Sequence, residues 1–408
     1  MGFFKQTIRD LPLVQGGHYR VLVRVDYNVP LKDGEVDDDL RIRASIPTLR
    51  YLLDHGCSLV LMSHLGRPEG RDEQFSLEPT AVRLGELLGQ AVVFVDDTIG
   101  DAAFQAVKKA PSGSIVMLQN LRFDSREEAD DHAFAAAIAR VAQADYFVQD
   151  GFGVVHRAHA STHAITQLLP SVSGLLLERE YTTISNAMES PERPLVAVLG
   201  GAKVSDKIQV VERFVQIADT LLIGGAMANT FLAYKGMNVG ASMAETDQNE
   251  TLDRIYAAAR EKVGENTDEF IILPTDVAVA PSLEPTESRT IRAVNEIQPA
   301  DKALDIGDAS IEHYTTIAAH AKTVIWNGPL GVDELPEFSH GSARLALTLA
   351  THPSTESIVG GGDTADFVLK WDVRKGGSFS HVSTGGGASL DLMAGKKLPG
   401  VESLLDAA

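Results

Sequence analysis

The chain has 408 residues, 44% hydrophobic and 23% charged, and its fourteen lysines and twenty-two arginines stand against fifty-six acids, for a formal net charge of −20. That length suits two domains, and the acidity argues against a nucleic-acid partner, which would need a basic face to neutralise phosphates. No run approaches the ~18 apolar residues that cross a bilayer, the opening MGFFKQTIRDL has no signal-peptide apolar region, and the lone Cys57, set among apolar neighbours, reads as a buried, inert thiol, so a cytoplasmic monomer acting on small molecules, with no membrane partner, is expected.

From residue 20 onward, apolar runs of four to six residues alternate with stretches of helical period, the pattern of βαβ units and a parallel sheet. In the first half this predicts strands at 20–25, 58–62, 91–95, 114–118 and 145–148, with helices at 41–55 and 130–143. The acidic loop KDGEVDDD at 32–39 has its glycine misplaced for a calcium loop and reads as a solvated turn. Apolar residues at helical spacing over 174–189, followed by Pro191 and Pro194, predict a connector between domains. The second half predicts strands at 195–199, 220–223, 269–273, 322–326, 356–359 and 379–382, with helices at 205–217, 246–262 and 363–371.

Ligands of open parallel sheets bind beyond the carboxyl ends of the strands, so the residues that follow each strand are the informative ones. In the first half these are Asp26-Tyr27-Asn28, His64-Leu65-Gly66-Arg67, Asn120 with Arg122, and Asp150 followed by Arg157. With Arg41 they gather four arginines and a histidine, and guanidinium forks match phosphate and carboxylate geometry, so a compact anion is the expected ligand. His156 and His159, with His163 nearby, lack the spacing and the partner ligands of a zinc site and are expected to line a polar loop.

The second half has different chemistry. PLVAVLGGAKVSDKIQ, residues 194–209, reads as strand, glycine turn and helix, with Lys203 and Lys207 four residues apart on one predicted helical face near a positive dipole end. Other strands lead into Gly224-Gly225, Pro274-Thr275-Asp276, Asn327-Gly328-Pro329, Gly360-Gly361-Gly362-Asp363-Thr364 and Thr384-Gly385-Gly386-Gly387. Glycines let backbone N–H groups approach phosphates, and Asp363 beside Thr364 offers oxygen ligands for Mg²⁺, so this half is expected to hold a nucleotide. There is no G-x-x-x-x-G-K-[ST] loop, and Gly360-x-Gly362-x-x-Ala365 fits the dinucleotide fingerprint without the acid that would hold a ribose.

Taken together, RVDYNVP (24–30), SHLGRP (63–68), LQNLRFDSREE (118–128), HRAHAST (156–162), LGGAKVSDK (199–207), WNGPLGVDE (326–334), GGGDT (360–364) and STGGGASLDLMAGKKLPGV (383–401) make the chain resemble the phosphoglycerate kinase family over essentially its whole length. The resemblance implies an α/β fold of two doubly wound, Rossmann-like parallel-sheet domains. An N-terminal triose-binding domain is expected over 1–173, an interdomain helix over 174–190, a nucleotide-binding domain over 191–387, and a tail, 388–408, that returns to the first domain. It implies reversible phosphoryl transfer between 1,3-bisphosphoglycerate and ADP, giving 3-phosphoglycerate and MgATP.

By motif, Asp26, Tyr27, Asn28, Arg41, His64, Leu65, Gly66, Arg67, Arg122 and Arg157 correspond to triose binders. Gly201, Ala202, Lys207, Gly224, Asn327, Pro329, Gly361, Gly362 and Thr364 correspond to the nucleotide cradle, Glu334 to the ribose ligand and Asp363 to the Mg²⁺ ligand. Gly307-Asp308 departs from the family's usual glycine-proline, and Val154-Val155 from its threonine-alanine. A carboxylate leaving group needs no general base, so catalysis reduces to alignment and charge neutralisation. Lys203 and Arg41 are assigned to the phosphoryl group in flight and Lys207 to the nucleotide phosphates. Triose ligands precede residue 160 and nucleotide ligands follow residue 200, so hinge closure is expected. A dehydrogenase using the glycines near 360, or a silent binding protein, are the competing readings, and the lysine-poor acidic surface suggests a salt-rich cytoplasm.

Overall fold

The computed structural model describes residues 3–14, 17–284 and 287–407. The chain forms two compact units, Met1–Thr182 with Lys397–Ala408, and Thr183–Lys396.

The first unit contains β1 (Arg20–Arg24), β2 (Leu31–Lys32), β3 (Glu35–Val36), β4 (Ser58–Met62), β5 (Val92–Val95), β6 (Ile115–Leu118), β7 (Tyr146–Gln149) and β8 (Ser171–Ser173). Its helices are α1 (Leu40–Asp54), α2 (Glu78–Leu88), α3 (Asp101–Lys109) and α4 (His132–Ala142). Six strands form one parallel sheet in the order β5-β6-β4-β1-β7-β8, while β2 and β3 close the acidic loop as a small hairpin. The strand period of two sends neighbours to opposite faces. Val21, Val23, Leu59 and Leu61 pack with Ile42, Leu49 and Leu84 of α1 and α2. Leu22, Val60 and Met62 pack with Val107, Phe134 and Ile138 of α3 and α4. Helices on both faces make the sheet doubly wound, and the chain reverses its direction across the sheet between β1 and β7. α4 begins two residues later than its periodicity suggested, because the Asp131 carboxylate accepts the Phe134 N–H at 2.7 Å and takes the cap position.

The segment Lys397–Ala408 packs within this unit. Lys5 Nζ, nearly buried, donates to the carbonyls of Glu402 (2.8 Å) and Leu404 (2.9 Å) and pairs with Asp406 at 2.6 Å. α5 (Leu175–Glu189) starts from an anchor in the same unit. Asp150 Oδ1 accepts from the Thr48 hydroxyl at 2.8 Å and from Leu176 N–H at 3.0 Å, while Thr48 Oγ1 accepts Leu175 N–H at 2.9 Å. These side chains satisfy helix N–H groups that have no partner within the helix.

The second unit contains β9 (Leu195–Leu199), β10 (Thr220–Ile223), β11 (Ile271–Ile272), β12 (Asp276–Ala280), β13 (Thr290–Ala293), β14 (Lys302–Ile306), β15 (Thr323–Asn327), β16 (Glu356–Gly360) and β17 (His381–Val382). Its helices include α6 (Ile208–Ile217), α7 (Gly225–Tyr234), α8 (Asn249–Val263), α9 (Thr267–Phe270), α10 (Asp308–His320), α11 (His340–Thr351) and α12 (Gly362–Trp371). Its parallel sheet has the order β11-β10-β9-β15-β16-β17, and the central strands β9 and β15 are buried along their whole length, in keeping with the apolar run of β9 and the Val324–Trp326 centre of β15. Trp326, Val324 and Val198 pack with Tyr314, Leu345 and Val368 from the covering helices.

Three expectations are corrected here. The helix placed at 205–217 begins at Ile208. The strand placed at 269–273 shrinks to Ile271–Ile272 behind the short helix α9. Strands β12, β13 and β14 form an antiparallel sheet, β13-β12-β14, that the apolar-run reading passed over because β13 is largely exposed and lacks an apolar run. Asp276 opens β12, and its carboxylate accepts from Ala309 N–H at 3.0 Å and Ser310 N–H at 2.8 Å. It caps α10.

Candidate active site

At the carboxyl edge of the first sheet, one hydrogen-bonded lattice organises the expected anion binders. Arg41 Nη1 donates to Asp26 Oδ2 at 2.9 Å, holding α1 against the segment after β1. Asn28 Oδ1 accepts Gly66 N–H at 2.8 Å, and Arg122 Nη1 donates to the Gly66 carbonyl at 2.6 Å, so both sides of one peptide turn are fixed. Gly66 has φ +63°, a left-handed conformation that favours glycine. Arg67 and Arg157 are exposed, and Arg122 is partly buried beside Glu128, with Nε at 3.1 Å from its carboxylate. This unit therefore presents guanidinium groups at a strand edge, as the residue pattern suggested.

Several residues hold a different position from the one expected. The side chains of Tyr27 and Leu65 lie in the core, with Tyr27 OH 2.8 Å from Ser45 Oγ, so only their backbones can meet a ligand. Asn120 is a brace: its Nδ2 donates to the carbonyls of Leu65 (2.8 Å) and Phe75 (2.9 Å). Asp150 is fully buried at the start of α5. At His64, burial, followed by the charges of Arg24, Arg122 and Arg41, pushes the pKa well below the ordinary imidazole value and favours the neutral ring. His163 pairs with Asp130 at 2.6 Å, and burial lowers His159 to about 4. Among the described residues no group of three or more His, Cys, Asp or Glu side chains could hold a metal ion.

Arg24 escaped the pattern reading. It ends β1 and is buried to 1% exposure, with Nε donating to Ser161 Oγ at 2.8 Å and Nη2 lying 3.1 Å from His64 Nδ1. A charged residue set between Val23 and Val25, inside a run predicted to be a buried strand, was the available signal, since isolated charges are almost never fully buried.

In the second unit, the chain reverses its direction across the sheet between β9 and β15, and the glycine turns beyond these two strands interlock. Gly200 N–H donates to the Asn327 carbonyl at 3.0 Å, and Gly201 N–H to the Pro329 carbonyl at 2.9 Å. Gly328 has φ +100°, and a Cβ there would lie 2.1 Å from the Gly200 carbonyl oxygen, so no other residue fits. Lys207 Nζ lies below both turns and donates to the carbonyls of Gly200 (2.8 Å) and Asn327 (3.3 Å). Burial lowers its pKa to about 8, against the opposing charges of Asp363 and Asp206. The Thr364 hydroxyl accepts Gly328 N–H at 2.7 Å and joins α12 to the same turn. Asn327 is fully buried, yet its side-chain Oδ1 and Nδ2 have no hydrogen-bond partner. A buried amide in that state is a feature to be explained, because such groups are normally satisfied.

Lys203 and Lys207 do not share a helical face. The segment from 201 to 207 is a series of turns, held because Val204 N–H and Ser205 N–H donate to Glu245 Oε2 at 2.6 and 3.1 Å. That distant carboxylate does the work of a cap and delays the helix. Lys203 is exposed, whereas Lys207 occupies the N-cap position of α6. Gly224 is the N-cap of α7, while Ala202, Gly362, Asp363 and Glu334 are exposed. Asp363 lies in the first turn of α12.

The profile of the family described as "Phosphoglycerate kinase" matches residues 11–396. A curated phosphoglycerate kinase from Pelotomaculum thermopropionicum is 45% identical over 403 residues, covering 98% of this chain and 99% of its own. One from Chloroflexus aurantiacus is 46% identical over 409 residues, covering 99% of each. Among solved structures, phosphoglycerate kinase from Coxiella burnetii aligns with a TM-score of 0.83 at 33% identity over 98% of each chain. The enzyme from Pyrococcus horikoshii OT3 gives 0.80 at 31% identity, covering 99% of this chain and 97% of the other.

Proposed function

We propose a division of labour between the two units of this chain, which belongs to the phosphoglycerate kinase family: the first unit takes the triose and the second the nucleotide. The reaction itself is the glycolytic one, reversible phosphoryl transfer between 1,3-bisphosphoglycerate and ADP with a carboxyl group of 3-phosphoglycerate as acceptor in the ATP-consuming direction. The competing dehydrogenase reading of the glycines near 360 falls with that membership.

The observation that carries the division is the contrast between two strand edges. One edge gathers guanidinium groups around Asp26, Asn28 and Gly66. The other has glycines in close approach, the ammonium of Lys207 and an unsatisfied buried amide at Asn327. Guanidinium forks suit the phosphate and carboxylate of a triose. Close-packed glycines and an amide with free donor and acceptor suit a polyphosphate chain and its attached groups.

No residue is required as a general base, because the acceptor carboxylate is already ionised at neutral pH. Arg41 and Lys203 neutralise the phosphoryl group as it moves, Lys207 holds the nucleotide phosphates, and Glu334 receives the ribose. Asp363 would hold Mg²⁺, and the donor set fits: one exposed carboxylate suits an ion that takes most of its ligands from phosphates and water. When bound, Mg²⁺ adds positive charge against the phosphate oxygens. We place the enzyme in the cytoplasm as a monomer, and propose that its acidic, lysine-poor composition is a salt adaptation.

Calorimetry on two variants tests the division. Arg67→Ala should lose affinity for 3-phosphoglycerate and retain ADP, and Asn327→Ala should do the reverse. Either variant losing both ligands equally while remaining folded would reject it.

A further inference from the structure

Beneath the guanidinium edge lies a buried polar chain to which no role has yet been given. Glu127, fully buried, accepts from Ser161 Oγ at 2.5 Å and from Ser161 N–H at 3.1 Å. Ser161 Oγ in turn accepts from Arg24 Nε at 2.8 Å, and Arg24 Nη1 donates to the Val25 carbonyl at 2.5 Å. The guanidinium is thereby held in one plane, and its remaining fork nitrogen, Nη2, lies 3.1 Å from His64 Nδ1.

A guanidinium carries donors and no acceptor, so this contact has one polarity. Nδ1 must accept, which leaves the ring proton on Nε2. The other candidate partner of Nδ1 is Asp26 Oδ1, at 3.9 Å, beyond hydrogen-bond reach, and the same carboxylate is engaged by Arg41 through Oδ2. We infer that Arg24 is a positioning residue for phosphoryl transfer: by donating to His64 Nδ1 it makes His64 a neutral Nε2–H hydrogen-bond donor to the triose. The inference rests on the assignment of His64 to the triose proposed above.

The charged groups around the ring agree. Arg24 on β1, Arg41 on α1, Arg122 beyond β6 and His159 in the 156–163 segment all oppose protonation of His64, and the Asp26 carboxylate, 3.9 Å from Nδ1, is the acid that faces it. Glu127 supplies the counter-charge that lets Arg24 remain buried. A neutral donor keeps its hydrogen bond across the physiological range, whereas an imidazolium would bind only while protonated. Arg24 would then act on the triose solely through His64, in contrast to Arg41, Arg67 and Arg157 at the surface of the edge.

The test is a long-range ¹H–¹⁵N spectrum of the full chain labelled at histidine. Without ligand, His64 should be a neutral Nε2–H tautomer from about pH 8 to about pH 5.5, through the ordinary imidazole midpoint near 6.5. On addition of 3-phosphoglycerate its Nε2 resonance should shift. Arg24→Met, paired with Glu127→Gln so that no buried charge is orphaned, should release the tautomer, so that an Nδ1–H form appears, and raise KM for 3-phosphoglycerate about tenfold with a smaller change in kcat. Arg24→Lys, which keeps a donor, should retain the tautomer and recover part of KM; this variant and the unmodified chain decide the matter even if the double variant does not fold. An Nδ1–H tautomer or an imidazolium in the free protein overturns the role of Arg24 and leaves the triose assignment standing. The expected tautomer with a resonance indifferent to 3-phosphoglycerate overturns both.

Discussion

Lys207 Nζ donates to the Gly200 carbonyl at 2.8 Å and reaches the Asn327 carbonyl at 3.3 Å, so one ammonium spans the ends of β9 and β15 where the second sheet changes direction. An ammonium has three donors, and two are committed to the protein. The third is available to a phosphate. Because burial holds this lysine at about 8 and a bound polyphosphate favours its charged form, ADP affinity should decrease as pH rises through that value. Binding near pH 8 should take up a proton, measurable by calorimetry in buffers of different ionisation enthalpy. Lys207→Met should weaken ADP about 10- to 100-fold and abolish the uptake. For stability the sign is separate: the unfolded lysine keeps its proton to a higher pH than the folded one, so this group makes stability rise with pH above about 8.

On the roles proposed for them, Arg41→Ala and Lys203→Ala would each remove a cation from the moving phosphoryl group. Each should lower kcat by about 10²- to 10⁵-fold, with smaller changes in KM, the range found when a donor to transition-state charge is deleted. Arg41 also grips Asp26 at 2.9 Å, so its loss should loosen the first-unit edge as well. A decrease below tenfold at both positions would remove them from the phosphoryl path.

Much of this arrangement is legible in the residues, and the illegible parts share a cause. The strands β4, β9 and β10 coincide with their predicted bounds, because continuous apolar runs specify strands buried on both faces. The clusters that follow them were found by applying one rule about sheet edges. What failed depends on distant partners. The late start of α6 is due to Glu245, forty positions beyond Ser205, and the role of Asp276 depends on Ser310. Arg24 lay inside the predicted strand 20–25 with no role attached, since only the fold brings Ser161, Glu127 and His64 around it. No local pattern encodes such meetings.

Asp363→Asn should shift the Mg²⁺ dependence of turnover to higher concentration, because a neutral amide is a poorer ligand for a hard cation. The carboxylate lies in the first turn of α12, where Thr364 ties the helix to the Gly328 turn, so the amide should leave the fold intact. Saturating Mg²⁺ should recover part of the lost rate. A titration superimposable on that of the unmodified chain would mean the ion is held without Asp363.

Asp150 offers a prediction about stability that is independent of catalysis. Burial pushes its carboxyl up to about 7, only partly offset by the hydrogen bonds from Thr48 and Leu176, and Oδ2 is buried without a partner. The folded carboxyl therefore holds its proton to a higher pH than the unfolded one, whose value lies near 3.9. Between about pH 4 and about pH 7 the folded state binds more protons, so this group makes stability fall as pH rises, by at most about 1.4 kcal/mol per pH unit. Asp150→Asn keeps an oxygen for Thr48 and Leu176 and cannot ionise. Melting temperatures of the two proteins should therefore coincide within error near pH 4 and separate as pH rises to about 7, the asparagine form gaining its advantage across that window and keeping a constant one above it. Asp305, raised by burial to about 7 as well, is common to both proteins and cancels in the difference. A constant offset across the range would show that Asp150 does not titrate within it, and an offset of the opposite sign at high pH would show that its charge stabilises the start of α5.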